Sequence, residues 1–229
     1  MHGGESSIIR SGNYYLGGTR IDYKDLYCFL KSGSKYLGWL SGEYIIAIIT
    51  ALREHKEDNR VVLVPPFDWH QFEQAKGKSD LGYWGDKASQ DTRLIVVHEV
   101  DHWYLIVVYP EDRTYAVLDS LIHARPKKTN ALTLLEGFLE GSCGWDVTLR
   151  LPWTSREQLT TWDCGMYVIK NAEKVLGFGG VTLKAAQAAL DKVEVDIHTR
   201  VEVIASIRDR IGEVESGKKK ELVWVGSKK

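Results

Sequence analysis

Residues 93–120 read RLIVVHEVDHWYLIVVYPEDRTYAVLDS, and this stretch decides the fold. Three runs in it, Arg93 to His98, Trp103 to Tyr109 and Tyr115 to Leu118, are dense in β-branched, aromatic and other apolar residues, the composition of strands. Between the last two lies Pro110-Glu111-Asp112-Arg113, a turn sequence, so those runs form a hairpin. Antiparallel pairing sets the start of one strand beside the end of the next. His102, at the first end, and Asp119, at the last, therefore meet at one end of the sheet.

Outward from this centre the apolar spacing changes to that of helices. Ser41 reads as an N-cap for a helix carrying Tyr44, Ile45, Ile48, Ile49 and Leu52 on a 3.6-residue period. Asp22 to Leu30 predicts a short helix before it, and Val61 to Val64 a strand stopped by Pro65-Pro66. Lys76 to Ser89, rich in glycine and charge, reads as an exposed loop. On the C-terminal side, Thr129 or Asn130 caps a helix running to about Glu140, with Gly141 past its end. Asp146 to Leu151 reads as another strand. Asp163 stands at an N-cap position ahead of a helix from Cys164 to about Leu176, stopped by Gly177. Thr182 to Leu190 and Val195 to Ile211 predict two further helices. Strands in the middle and helices at both ends give an α+β fold with a central sheet flanked by helices.

The chain has 229 residues, which suits a single domain over 1–229 with its core at about 20–215 and a basic tail at 216–229. Lys+Arg 30 against Asp+Glu 31 leaves a net charge of −1, so no general attraction to nucleic acid is expected. The Lys218-Lys219-Lys220 run reads as a solvated tail. No apolar stretch approaches the roughly 20 residues needed to span a bilayer, and Met1-His2-Gly3-Gly4 opens neither a signal sequence nor a transit peptide. A nuclear or cytoplasmic protein is expected. Three cysteines, Cys28, Cys143 and Cys164, are widely spaced without any C-x-x-C, so neither a metal site nor a disulfide framework is expected.

Cys164 carries the first chemical hint. At the start of a helix its sulfur meets backbone N–H groups and the positive end of the helix dipole, which favour thiolate. A cysteine on an apolar helix is equally an ordinary core residue. The partners change the reading: a histidine that takes the thiol proton, oriented by a carboxylate on its far nitrogen, is the logic of a catalytic triad. His102 and Asp119 are the pair the hairpin supplies.

These segments resemble a known family. His102-Trp103-Tyr104-Leu105 followed by Leu118-Asp119-Ser120 is similar to the H-W-x-L … L-D-S signature of the SUMO-specific (sentrin-specific) cysteine proteases, with the same step of 17 residues (119 − 102). Asp163-Cys164-Gly165-Met166-Tyr167-Val168 resembles that family's D-C-G-x-[FY]-V motif. Gln158, six residues before Cys164, matches the family's oxyanion-hole glutamine, and Trp39-Leu40-Ser41-Gly42-Glu43-Tyr44-Ile45 resembles its W-L-N-D-x-x-I segment. The resemblance spans roughly residues 20 to 215. It implies a ubiquitin-like-protease fold with a mixed central sheet, and a cysteine isopeptidase that needs no cofactor. Cys164 would attack after a diglycine, His102 would act as base and then acid, and Asp119 would orient it. Gln158 and the Cys164 N–H would hold the oxyanion. Trp39 and Trp103 match the tryptophans that roof the substrate diglycine in the family.

Three departures bear on the substrate. Gly42 replaces an aspartate that family members use to contact an arginine of SUMO. Val96 stands where a proline is usual. Leu159-Thr160-Thr161-Trp162 replaces a polar, glycine-containing run, and Trp162 either narrows the cleft and contacts substrate or packs inside. The implied partner is SUMO or another ubiquitin-like protein, ubiquitin or NEDD8, with its conjugates. The same motifs serve deubiquitination and deneddylation, and bacterial effectors of this fold would work in the host-cell cytosol. An effector-type acetyltransferase shares a Cys-His-acid site but typically lacks the tryptophan after the histidine. A non-catalytic module would be expected to have lost Cys164, His102 or Gln158.

Overall fold

Apolar residues at nearly every position of the central runs dictate a sheet that is buried on both faces. The computed structural model describes residues 13–16, 19–22, 39–56, 60–75, 90–121, 129–147, 158 and 160–177, together with 193, 195, 199, 200, 202 and 203. Strands β3 (Val61–Val64), β4 (Thr92–His98), β5 (Trp103–Tyr109) and β6 (Thr114–Leu118) form one sheet in the order β3-β4-β5-β6. β3 pairs parallel with β4, and the other two pairings are antiparallel, so the sheet is mixed. A separate antiparallel ribbon joins β1 (Asn13–Leu16) to β2 (Thr19–Asp22).

Alternation along the strands sorts the core into two clusters. Leu94, Val96, Trp103, Leu105, Val107, Ala116 and Leu118 face helices α1 (Gly42–Lys56) and α4 (Cys164–Gly177). Ile95, Val97, Tyr104, Ile106, Val108, Tyr115 and Val117 face α2 (Pro66–Gln74) and α3 (Asn130–Cys143). The result is an α/β/α stack with the mixed sheet as its middle layer, an α+β architecture as the sequence predicts. Ser41 caps α1, accepting at Oγ from the Tyr44 N–H at 3.5 Å and at its carbonyl from the Ile45 N–H at 3.2 Å. All five apolar positions predicted for that helix are buried.

Several boundaries differ from the sequence reading. Pro65-Pro66 ends β3 but also starts α2: Pro65 is its N-cap, and Pro66 occupies a first-turn position where no N–H is required. Helix α3 runs through Gly141 to Cys143 and stops at Gly144, the residue with left-handed φ of 66°. There the Gly144 N–H donates to Glu140 O and the Trp145 N–H to Leu139 O, the double closure of a Schellman motif. Gly141 keeps helical geometry, because a glycine ends a helix only where the chain takes a positive φ. Asp146 lies in no strand and Val147 is in a short 3₁₀ turn. Asp22 ends β2 rather than starting a helix. Val195 is outside any element, whereas Thr199, Arg200, Glu202 and Val203 are helical. The remaining parts of those predictions, with the loop at 76–89, the helix at 182–190 and the tail, lie outside the described residues.

Candidate active site

The β4–β5 connection is a two-residue turn, with Val100 at φ 47° and Asp101 at φ 59°. Left-handed φ at both central residues is the type I′ geometry that suits the strand twist. The Glu99 N–H donates to His102 O at 3.0 Å and the His102 N–H to Glu99 O at 3.2 Å, closing the hairpin. A β-branched residue in this region is strained, and Val100 is nevertheless 88% exposed. His102 is thereby fixed where the turn enters β5.

At the far end of the next strand, Asp119 is fully buried, and its Oδ1 lies 2.7 Å from His102 Nε2. The Leu121 N–H also donates to this oxygen, at 2.8 Å, a local turn that keeps the carboxylate pointed back at the histidine. An ionised carboxylate can only accept, so Nε2 carries the hydrogen and a neutral ring keeps its lone pair on Nδ1. The hairpin thus sets both the position and the tautomer of His102.

Cys164 opens α4 on the α1 side of the sheet and is 1% exposed. Backbone N–H groups of Trp103, the residue after His102, and of Gly165 and Cys164 in the first turn of its own helix lie near enough to its sulfur to favour the thiolate. Burial outweighs them. The thiol is pushed above its ordinary value, chiefly by desolvation and further by the Asp119 charge, while the N–H groups pull it down. The dipole argument alone therefore gives the wrong net direction for this cysteine.

Asp163 does stand at the N-cap of α4, since its carbonyl accepts from the Tyr167 N–H at 3.0 Å. Its carboxylate, however, serves other donors: Arg200 Nε donates to Oδ1 and Thr160 Oγ1 to Oδ2, both at 2.5 Å. Arg200 Nη2 also donates to the Trp162 carbonyl at 3.0 Å. Gln158 is buried beside this turn. Its backbone N–H donates to Ser120 O at 2.8 Å, its Nε2 donates to Thr160 O at 2.6 Å, and its Oε1 accepts from Ser120 Oγ at 2.6 Å.

The three tryptophans occupy different settings. Trp103 is nearly buried, its ring 4.2 Å by centroid from His98 and tilted by 33°. A Cβ built on Gly42 would lie 3.0 Å from Trp103 Cη2, so the indole edge fills the space a side chain there would need. Trp39 and Trp162 are half-buried. The structure therefore brings His102, Asp119, Cys164 and Trp103 together, with Gln158 joined through Ser120. Sequence reasoning missed Ser120, Thr160 and Arg200 as parts of this assembly. Ser120 adjoins Asp119 and could have been suspected; Arg200 lies 37 residues from Asp163 with no local signal.

Comparison with known proteins reaches the same part of the chain. The sequence model of the Ulp1 protease family, C-terminal catalytic domain, matches residues 86–177, which contain His102, Asp119, Gln158 and Cys164. That segment carries the match to the Ulp1 family of cysteine peptidases, and the fold is of the Ulp1 type. The chain is similar to the Ulp1-like SUMO protease catalytic domain of Chaetomium thermophilum at 22% identity and TM-score 0.57, over 85% of this chain and 80% of that one. It is similar to the yeast Ulp1 protease domain in complex with Smt3, the yeast orthologue of SUMO, at 18% identity and TM-score 0.56, over 83% and 85%. The Xanthomonas campestris effector XopD bound to ubiquitin matches at 16% identity and TM-score 0.54, over 73% and 90%. No curated protein sequence matches the chain. At these identities the structural likeness speaks for the Ulp1-type fold. No helix among the described residues is long and apolar enough to cross a membrane.

Proposed function

We propose that this Ulp1-type peptidase cleaves after the C-terminal diglycine of a ubiquitin-like protein, with Cys164 as nucleophile, His102 as acid–base and Asp119 as orienting carboxylate. The observation that carries the reading is the buried 2.7 Å contact of His102 Nε2 with Asp119, set beside a buried cysteine at the start of α4 that shares a core cluster with Trp103. In the resting site the thiol is protonated. His102 Nδ1 takes that proton as sulfur attacks the carbonyl carbon of the terminal glycine, and the carbonyl π pair moves to oxygen. Gln158 Nε2 and the Cys164 N–H hold this oxyanion. The imidazolium then gives its proton to the amine nitrogen as the C–N bond breaks, leaving a thioester. Water attacks the thioester, His102 takes its proton, and collapse returns the thiol and the free carboxyl terminus.

Trp103 and Trp39 form the roof over the diglycine, and Trp162 flanks the nucleophile. The indole of Trp103, held between His98 and Gly42, has little room to yield, which favours residues without a side chain beneath it. SUMO is the preferred substrate on the motif pattern, and the yeast relative bound to the SUMO orthologue fits that choice. Gly42 supports a second reading, ubiquitin or NEDD8. The carboxylate that would meet the SUMO arginine is absent, and a side chain there would require the Trp103 ring to move. Losing one partner of a desolvated charge contact costs roughly 2–5 kcal/mol. The XopD relative bound to ubiquitin is compatible with that alternative. The protein works as one catalytic domain in the nucleus or cytoplasm, or in host cytosol if a bacterium delivers it.

Aminomethylcoumarin conjugates of SUMO, ubiquitin and NEDD8 test this directly, each prepared with a Gly-Gly and with an Ala-Ala end. Gly-Gly SUMO should be cleaved fastest and every Ala-Ala form should be inert. Trp103→Ala should slow Gly-Gly cleavage and narrow its lead. Faster cleavage of ubiquitin or NEDD8 would overturn the SUMO preference alone. Equal cleavage of both ends would remove the tunnel.

A further inference from the structure

The described polar groups around Gln158 form a closed count. A carboxamide offers two N–H donors and one oxygen acceptor. Oε1 of Gln158 accepts from Ser120 Oγ at 2.6 Å, and one Nε2 hydrogen goes to the Thr160 carbonyl at 2.6 Å. A carbonyl can only accept, so rotating the amide by half a turn would set oxygen against oxygen at Thr160. The unrotated amide has exactly the complementary partner at its other end only because Ser120 supplies a hydroxyl hydrogen to Oε1. Both side chains are buried, so no solvent stands in for either partner. The other Nε2 hydrogen has no partner among the described residues.

We propose that Ser120 is a positioning residue for the oxyanion donor. Its hydroxyl fixes the Gln158 amide so that the spare N–H faces the developing charge. This rests on the assignment of Gln158 to the oxyanion hole made above. Asp119 and Ser120 are consecutive at the end of β6, and they serve the two halves of the reaction: Asp119 holds the base, and Ser120 holds the donor. The second backbone link, from the Gln158 N–H to Ser120 O at 2.8 Å, ties the two segments so that the side-chain geometry is set with the fold. At the other end, Thr160 is held through Asp163 by Arg200, so the acceptor that forbids the rotated amide is itself fixed. Hydrogen bonding at Oε1 also polarises the amide and strengthens its N–H as a donor.

The test is a double-mutant cycle on the purified full chain, with the aminomethylcoumarin conjugate of SUMO, ubiquitin or NEDD8 that the wild type cleaves fastest. Removing one oxyanion donor costs on the order of 10²–10³ in turnover, so Gln158→Ala should fall in that range. Ser120→Ala, which misaligns the donor without deleting it, should lower kcat about tenfold on the same scale and leave KM unchanged. In the Gln158→Ala background it should have no further effect. Alkylation of Cys164 by iodoacetamide, followed by mass spectrometry, forms no oxyanion, so its rate should be unaltered in Ser120→Ala. If that variant does not fold, Ser120→Cys, similar in size and a weak donor, carries the same cycle. Wild-type turnover in Ser120→Ala beside a damaged Gln158→Ala would overturn the proposal and leave the oxyanion hole standing. Full additivity of the two losses, or slowed alkylation, would overturn it by showing that Ser120 acts through the triad or the fold. A harmless Gln158→Ala would overturn both assignments.

Discussion

Cys164 is caught between two effects of its own position. Placement at the start of α4 brings N–H groups near its sulfur, and burial in the core cluster that includes Trp103 removes water from it. Desolvation wins, so the resting thiol holds its proton above the ordinary thiol value of about 8.5. A raised pKa means that thiolate appears only as pH rises beyond that value. The rate of Cys164 alkylation by iodoacetamide in the free protein should therefore climb at higher pH than that of a cysteine peptide. A plateau reached below pH 7 would show that the thiolate–imidazolium pair exists before substrate arrives. The residue scale also marks the limit of local reading. The helix start at Cys164 was visible in Asp163 and the apolar run that follows. The depth of burial was not, because it comes from α1 and β5, which are distant in sequence. Asp163 illustrates the same point: its N-cap position was legible, but its carboxylate is taken by Thr160 and Arg200.

Among the elements, α1 packs directly on the first turn of α4, where Cys164 sits. A Cβ on Gly165 would lie 3.0 Å from Leu40 Cβ and 3.2 Å from Ile45 Cδ1. Leu40 Cβ is tied to its backbone, and Ile45 Cδ1, although a side-chain end, belongs to a fully buried residue, so an added methyl has to push the first turn of α4 away from Leu40 and α1. Overpacking of this kind costs about 1–3 kcal/mol. Gly165→Ala should lower the thermal midpoint accordingly, and should reduce turnover further because the strain falls beside Cys164. An unchanged midpoint and turnover would show that the helix turn accommodates the methyl. The elements themselves were legible where the apolar period was long, as in α1, β4, β5 and β6. Those missed depend on other signals. Helix α2 begins with a proline pair that reads first as a strand stop, and β1 and β2 are four residues each, too short for an apolar alternation to declare them, with Gly17-Gly18 between them in the sequence as their turn signal. The overrun of α3 past Gly141 has the same root, since a glycine in the sequence does not declare its φ.

At the scale of the molecule, the mixed sheet is a rigid floor whose end carries the site. His102 and Asp119 come from adjacent strands, Cys164 from the helix packed across them, and Gln158 from the segment bonded to Ser120. The hairpin made the first pair readable in the sequence, because antiparallel pairing has a fixed geometry. The approach of α4 to the strand end was readable only through the family resemblance, since helix packing leaves no short-range pattern. Arg200, beyond the matched segment 86–177, also braces the turn before Cys164 through Asp163 and the Trp162 carbonyl. The reaction proposed for this assembled site is thiol attack at a diglycine terminus. Its most direct measurement is labelling of the whole protein with SUMO, ubiquitin and NEDD8 that bear an electrophile after the terminal glycine, followed by peptide mapping of the adduct. At least one probe should form a single covalent adduct on Cys164, and Cys164→Ala should form none. An adduct on Cys28 or Cys143 instead, or no adduct with any probe while an acetyl donor modifies Cys164, would contradict the account.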